Sequence, residues 1–247
     1  MGSPETPGIS GRVEVITDLR ALRRILESGA AIERVVCPAG KPYPPALYQL
    51  IRQYHLRVQQ VPPSALPKGA TWGAAYVSPV AFRPVEELLA GPMEGLVIAL
   101  IGLTDVRNVG AIVRSAAAFS ARGLLWPAEK TTSPANPELW RSSAGGLSRL
   151  PIFRSHRPYT DLQNLSRAGW PLIATTKPSP HAVPLSLWQW PPAAILLLGR
   201  EDKGLPPEYL SLASIYLTIP HASTIESLNV SAAAAILLWH YYQQQHQ

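Results

Sequence analysis

The 247-residue sequence predicts an α/β protein built on a parallel sheet, with a smaller α/β unit ahead of it. Apolar runs of strand length recur from residue 96 onward, at 96–103, 123–126, 171–175, 193–198 and 214–219. They lack the alternation of a half-exposed strand, so each is expected to be covered on both faces. Helical spacing falls between several of them, at 109–121, 136–146 and 206–213. Strand alternating with helix is the pattern of a parallel sheet with helices on both sides.

The elements ahead of these runs are shorter. Met1 to Ser10 is rich in Gly, Pro and Ser and reads as a flexible leader, without the apolar segment of a secretory signal. Apolar residues at 19, 22, 25 and 26 follow Asp18, which is placed to cap a helix. Ile32 to Cys37 then reads as a strand, Tyr43 to Tyr54 as a helix with Leu47, Leu50 and Ile51 on one face, Leu56 to Val61 as a strand and Ala74 to Val77 as another. Pro84 to Pro92, with two glutamates and a Gly-Pro, reads as the link to the sheet domain.

Composition narrows the function classes. The chain is 47% hydrophobic and only 15% charged, which supports a folded core. A net charge of +6 permits an anionic partner such as nucleic acid, and basic residues are scattered through the first unit. Cys37 is the single cysteine, so an internal disulfide and a cysteine metal cluster are both excluded; within Val35-Val-Cys-Pro38 it reads as a small buried hydrophobe. The longest apolar stretch, Ala232 to Trp239, is too short to span a bilayer. A soluble protein of a reducing compartment, most simply the cytoplasm, is expected.

Three segments carry polar residues that packing does not require, and each lies where the carboxyl end of a strand is expected. They are Asn108-Val-Gly-Ala-Ile-Val-Arg114, Leu198-Gly-Arg-Glu-Asp-Lys-Gly-Leu205, and Ile219 to Ser231 with Glu226, Ser227, Asn229 and Ser231. Ligands of parallel sheets bind beyond the carboxyl ends of the strands. In the first segment Asn108 is placed to cap a helix, Gly110 permits a close approach, and Arg114 points away from an apolar stripe. In the second, Leu205 stands where a phosphate-binding P-loop needs its Lys-Ser/Thr pair, and no GxGxxG occurs anywhere. In the third, Ser227 is a candidate cap for an alanine-rich helix that ends in Trp239-His-Tyr-Tyr242. That helix can seal the core, present an interface, or do both. The histidines show no metal-ligand spacing, and no GxSxG elbow supports hydrolase chemistry.

In order and spacing these segments resemble the SpoU (TrmH-type) branch of the SPOUT RNA methyltransferases. Asn108-x-Gly110-x-x-x-Arg114 with Ala116-Ala-Ala-Phe119 resembles the first motif of that family, with Ser120 in place of a glycine. Leu198-Gly199-x-Glu201-x-x-Gly204-Leu205 resembles the second. Ile219-Pro220 and Ser227-Leu-Asn-Val-Ser231 resemble the third, with His221 replacing the common methionine and Ser223 the common glycine. The stretch from Ser142 to Pro151, which opens Ser142-Ser-Ala-Gly-Gly146, resembles the Ser-Ala-Gly segment between the first two motifs.

The resemblance implies a SPOUT domain over 95–247 with a C-terminal trefoil knot, preceded by a ribosomal-protein-L30e-like RNA-binding domain over 12–84, a linker at 85–94 and a leader at 1–11. A knot is a rare exception to threading rules and is not readable from periodicity. It further implies S-adenosylmethionine as methyl donor, held by Thr175, Thr176, Leu198, Gly199, Gly204, Ile219, Ser227, Leu228 and Asn229, largely through backbone groups. The implied reaction is methyl transfer to a ribose 2′-hydroxyl, most simply in ribosomal RNA, with transfer RNA or a non-catalytic ribosome-assembly role as alternatives. Arg114, Glu201 and Asn229 are then the catalytic residues, and Asn108 and Arg114 face the RNA. A guanidinium stays protonated, so Arg114 is expected to hold a phosphate and stabilise the developing oxyanion. Glu201 is expected to hold Arg114 or the hydroxyl, and Asn229 to orient the ribose or cap the loop. The resemblance also implies a homodimer, with Arg114 supplied across the interface, and neither metal nor membrane.

Overall fold

The structure is a computed structural model that describes residues 14–27, 32–77, 80–128, 131–132, 134, 136–222, 224 and 227–246. The expected leader, Ser223 and Glu226 lie outside the described residues. Described residues up to Ala81 form one compact unit and nearly all the rest form a second.

The first unit contains β1 (Glu14–Ile16), α1 (Leu19–Glu27), β2 (Ile32–Pro38), α2 (Pro45–Tyr54), β3 (Val58–Val61) and β4 (Ala74–Val77). Its strands line up as β1-β4-β2-β3, with β2 and β3 parallel and β4 antiparallel to both of its neighbours. Asp18 does start α1, its Oδ1 accepting from the Ala21 amide at 2.8 Å. The helical spacing then places Leu22 and Leu26 on the face that meets Leu47 and Leu50 of α2 in one core with Val35, Cys37 and Trp72. Burial pushes the Cys37 thiol above its ordinary pKa, as befits a packed hydrophobe and not a nucleophile.

The second unit contains β5 (Phe82–Pro84), α3 (Glu86–Ala90), β6 (Gly95–Leu100), α4 (Val106–Ala118), β7 (Gly123–Pro127), α5 (Pro137–Ser143), β8 (Ile152–Ser155) and α6 (Pro158–Arg167). It continues with β9 (Leu172–Thr175), β10 (Val183–Pro184), β11 (Ala193–Leu198), α7 (Pro207–Leu210), β12 (Ile215–Thr218) and α8 (Val230–Gln245). The eight strands form one sheet in the order β10-β12-β9-β11-β6-β7-β8-β5. Every neighbouring pair in it is parallel. All six residues of β11 and Leu96 to Leu100 of β6 are buried, which is why their sequences are continuous apolar runs. Parallel pairing brings the carboxyl ends of β9, β11 and β12 together on one edge, and the second and third segments leave from there.

Six elements escaped the pattern of apolar runs, β1 among them with only three residues. β5, β8 and β10 are two to four residues long, too short to show a period. α6 buries only Leu162 and Leu165 among polar residues. α3 lies where a link was expected and anchors itself through Leu88, which is buried. No helix of the described residues is long and apolar enough to cross a membrane.

Candidate functional site

Helix α4 begins three residues earlier than its spacing indicates. Asp105, and not Asn108, is the cap, its Oδ1 accepting from the amides of Arg107 at 2.8 Å and Asn108 at 3.3 Å. Those two amide bonds, that of Arg107 first, hold the Asp105 carboxyl below its ordinary pKa. With its own amide served, Asn108 has its side chain free for other partners. The glycine two residues on serves packing between helices: a Cβ on Gly110 would collide with Oγ of Ser142 and stand 2.6 Å from its Cβ. Ser142 belongs to α5, so the motif glycine and the Ser-Ala-Gly segment are two sides of one close contact.

The loop after β11 turns back on itself. The Arg200 amide donates to the Gly204 carbonyl at 3.0 Å and the Gly204 amide donates back at 2.9 Å. Gly204 sits at φ +65°, and Gly199 lies so close to the backbone of Gly204 and Leu205 that no side chain fits there. Arg200 grips Asp202 through two bonds of 2.9 and 3.0 Å and pulls that carboxyl below its ordinary pKa. Glu201 is thereby left to face the neighbouring segment.

Helix α8 is capped by Asn229, correcting the assignment of that role to Ser227. Asn229 Oδ1 accepts from the Ser231 amide at 2.8 Å and from its hydroxyl at 2.6 Å. An amide N–H can only donate, so this bond fixes the orientation of the whole series. Asn229 Nδ2 must face outward, and it donates to Asn108 Oδ1 at 3.1 Å. Asn108 Nδ2 then donates to Glu201 Oε1 at 2.7 Å. One residue from each of the three segments, far apart in sequence, is thus tied into a single row of hydrogen bonds.

Beside that row opens a cavity of about 600 Å³. Leu198, Leu205 and Leu217, all buried, contribute apolar lining, together with Leu210 and Leu237. Eight of the nine residues expected to hold a methyl donor line it: Thr175, Thr176, Leu198, Gly199, Gly204, Ile219, Ser227 and Leu228. Asn229, the ninth, belongs to the hydrogen-bonded row instead. Thr175 spends its hydroxyl on the Leu197 carbonyl at 3.1 Å, so that side chain braces β9 against β11. Val230, Ala233 and Leu237 also line the cavity, and their helical spacing in the sequence would have disclosed a common face. Lys177 and His221 are further lining residues that no packing pattern marks.

Arg114 stands apart. It is exposed on α4 and does not line the cavity. Six residues beyond Asn108 place it about 9 Å further along the helix axis and on a different face. Glu201 therefore meets Asn108 in this chain, and Arg114 is the one expected catalytic residue that the row does not include. No cluster of three or more metal-ligating side chains occurs among the described residues.

The chain resembles known proteins along most of its length. It is 33% identical over 168 residues to an uncharacterized tRNA/rRNA methyltransferase of Mycolicibacterium paratuberculosis, covering 67% of this chain and 53% of that protein. The chain therefore spans about half the length of the curated relatives it matches. Among solved structures, the AdoMet-bound rRNA methyltransferase of Sinorhizobium meliloti aligns with a TM-score of 0.61 at 24% identity, over 94% of this chain and 87% of that one. The SpoU methyltransferase AviRb of Streptomyces viridochromogenes in complex with AdoMet aligns with a TM-score of 0.59 at 23% identity, over 95% of this chain and 91% of that one. At such identities these likenesses establish the fold alone, an α/β architecture built on a parallel sheet. The model of the SpoU rRNA Methylase family matches residues 95–239, a stretch that takes in all three segments and the whole hydrogen-bonded row, and the chain belongs to that family.

Proposed function

We propose that this chain is an S-adenosylmethionine-dependent RNA methyltransferase that modifies a ribose 2′-hydroxyl, in ribosomal RNA, and acts as a homodimer. The observation that carries the reading is the row Glu201–Asn108–Asn229 bordering a leucine-lined cavity of about 600 Å³. That size suits a nucleoside-bearing small molecule. The cavity's apolar lining and its rim of backbone groups fit S-adenosylmethionine, and the Sinorhizobium and Streptomyces relatives are AdoMet complexes. When bound, that donor supplies a methyl group activated as a sulfonium.

The chain's own residues would do the rest. The tight turn from Gly199 to Gly204 offers backbone donors and acceptors close to the ligand. The leucines exclude water from the reacting atoms. Glu201 keeps one carboxylate oxygen beyond its bond to Asn108, as an acceptor for the ribose hydroxyl. Asn229 and Asn108 hold that carboxylate in place, which converts positioning into rate.

Arg114 is assigned to the RNA phosphate and the developing oxyanion, reaching the row from a second copy of the chain. Helix α8 supports such pairing, because it turns Ala234, Leu237, Leu238 and Tyr241 inward yet leaves Ile236 38% and Trp239 48% exposed. A knotted passage of the C-terminal segment past the 199–204 loop, and RNA binding by an L30e-like first unit, belong to the same proposal.

The test has two stages. Calorimetry should show S-adenosylhomocysteine binding, and labelled donor should mark 2′-oxygens in RNA from cells lacking the protein. Donor binding with transfer only to bases would refute the ribose assignment. Absence of donor binding would leave an RNA-binding assembly factor as the reading.

A further inference from the structure

His221 lies three residues beyond β12 and lines the cavity. Its Nδ1 is 2.8 Å from the carbonyl oxygen of Ile219. A carbonyl only accepts, so Nδ1 carries the proton in this bond and Nε2 of the neutral ring is left as an acceptor. No partner for Nε2 exists among the described residues. The ring is half-buried and tied to its own backbone, so its orientation is set before anything binds.

Several other polar side chains of this wall already have protein partners. Thr175 donates to Leu197, Arg200 and Asp202 hold each other, and Glu201 receives Asn108. An acceptor whose ring is already oriented, and which has no partner among the described residues, stands out in that setting, since a ligand N–H or O–H would add a hydrogen bond there. A methionine at this position would offer only a weakly accepting sulfur.

The geometry points to His221 as a specificity-determining residue of the cavity, whose Nε2 accepts a hydrogen bond from an N–H or O–H group of the bound nucleoside-type donor. The inference rests on the reading of the cavity as the methyl-donor site. A neutral acceptor distinguishes little between a sulfonium and a thioether. The contact should therefore strengthen S-adenosylmethionine and S-adenosylhomocysteine alike.

Two substitutions and one spectrum test it in the full chain. His221→Phe keeps the flat ring and removes both nitrogens; His221→Gln restores an acceptor. Calorimetry should find both ligands weakened about fivefold to tenfold by His221→Phe, one hydrogen bond's worth, and held within about threefold of wild type by His221→Gln. Nitrogen NMR of the wild-type ring should show the Nδ1–H tautomer in the free protein and a shifted Nε2 resonance once S-adenosylhomocysteine is added. Wild-type affinity in His221→Phe, or an Nε2 resonance that ignores the bound ligand, overturns this contact alone. A wild-type protein that binds neither ligand overturns the donor reading and the contact with it.

Discussion

Replacing Gly199 by alanine tests the turn on which the cavity depends. The added Cβ would run into the carbonyl carbon of Gly204 and the amide nitrogen of Leu205, with the Gly204 oxygen at 2.6 Å. All three are backbone atoms, so no side chain can rotate away and the turn itself must yield. Overpacking of this kind costs about 1–3 kcal/mol. Opening the turn sacrifices the 3.0 and 2.9 Å bonds between Arg200 and Gly204, worth about 0.5–1.5 kcal/mol each. The two figures are alternatives, because opening is how the clash is relieved, so the total stays at about 1–3 kcal/mol. A turn that remains closed under strain lowers Tm, by about 2–4 °C per kcal/mol for a domain of this size. A turn that opens must be closed again by the ligand, which lowers affinity about 5- to 150-fold. Gly204→Ala provides the comparison, since its φ of +65° costs a side chain about 1–2 kcal/mol while the space around its Cβ is empty. Scanning calorimetry and titration with S-adenosylhomocysteine, run on both variants, read the two channels. A Gly199→Ala protein with wild-type Tm and wild-type affinity would refute the reasoning.

Four further outcomes are expected. Gly110→Ala should destabilise the second unit by about 1–3 kcal/mol through its collision with Ser142, and Gly110→Ala/Ser142→Gly should recover most of that in denaturant unfolding; strictly additive losses would contradict the contact. Asn229→Ala removes the cap of α8, costing about 1 kcal/mol, and frees Asn108, so methyl transfer should fall further than stability does. Arg114→Ala should leave S-adenosylhomocysteine affinity within about twofold while single-turnover methyl transfer drops about 10²–10³-fold; retained transfer would remove Arg114 from the reaction. His240, whose Nδ1 accepts from Trp190 Nε1 at 3.0 Å, is pushed below its ordinary pKa by burial. A ring that folds neutral contributes stability fully above its unfolded pKa of about 6.5, and the contribution declines as pH falls from there toward the folded value. Tryptophan fluorescence should report loosening of the Trp190 segment over that acid range in the wild type and a flatter profile in His240→Gln.

What the sequence disclosed, and what it withheld, follows from the physics of each element. β6 and β11 are buried on both faces, so their composition alone identifies them, and the parallel sheet follows from their alternation with helices. β5, β8 and β10 draw their stability from a neighbour's backbone, which leaves no pattern in their own residues. The site divides in the same manner. Gly199, Glu201 and Asn229 are conspicuous because polar and small residues interrupt apolar runs, and motif resemblance placed eight of nine donor-site candidates on the cavity wall. The caps were misplaced for a definite reason. Asp105, Asn108, Ser227 and Asn229 are all good capping residues, and only the start of the helix decides which amides are open. Once Asp105 takes the amides at the start of α4 and Asn229 those of α8, the side chain of Asn108 has no local partner left. It is the long-range bonds to Glu201 and Asn229 that occupy it. A row spanning 93 and 121 residues of sequence can be seen only when the sheet has brought its three carboxyl-edge segments together. The capping error and the hydrogen-bonded row are therefore one fact: correcting which residue caps each helix is what frees Asn108 to join the three motifs.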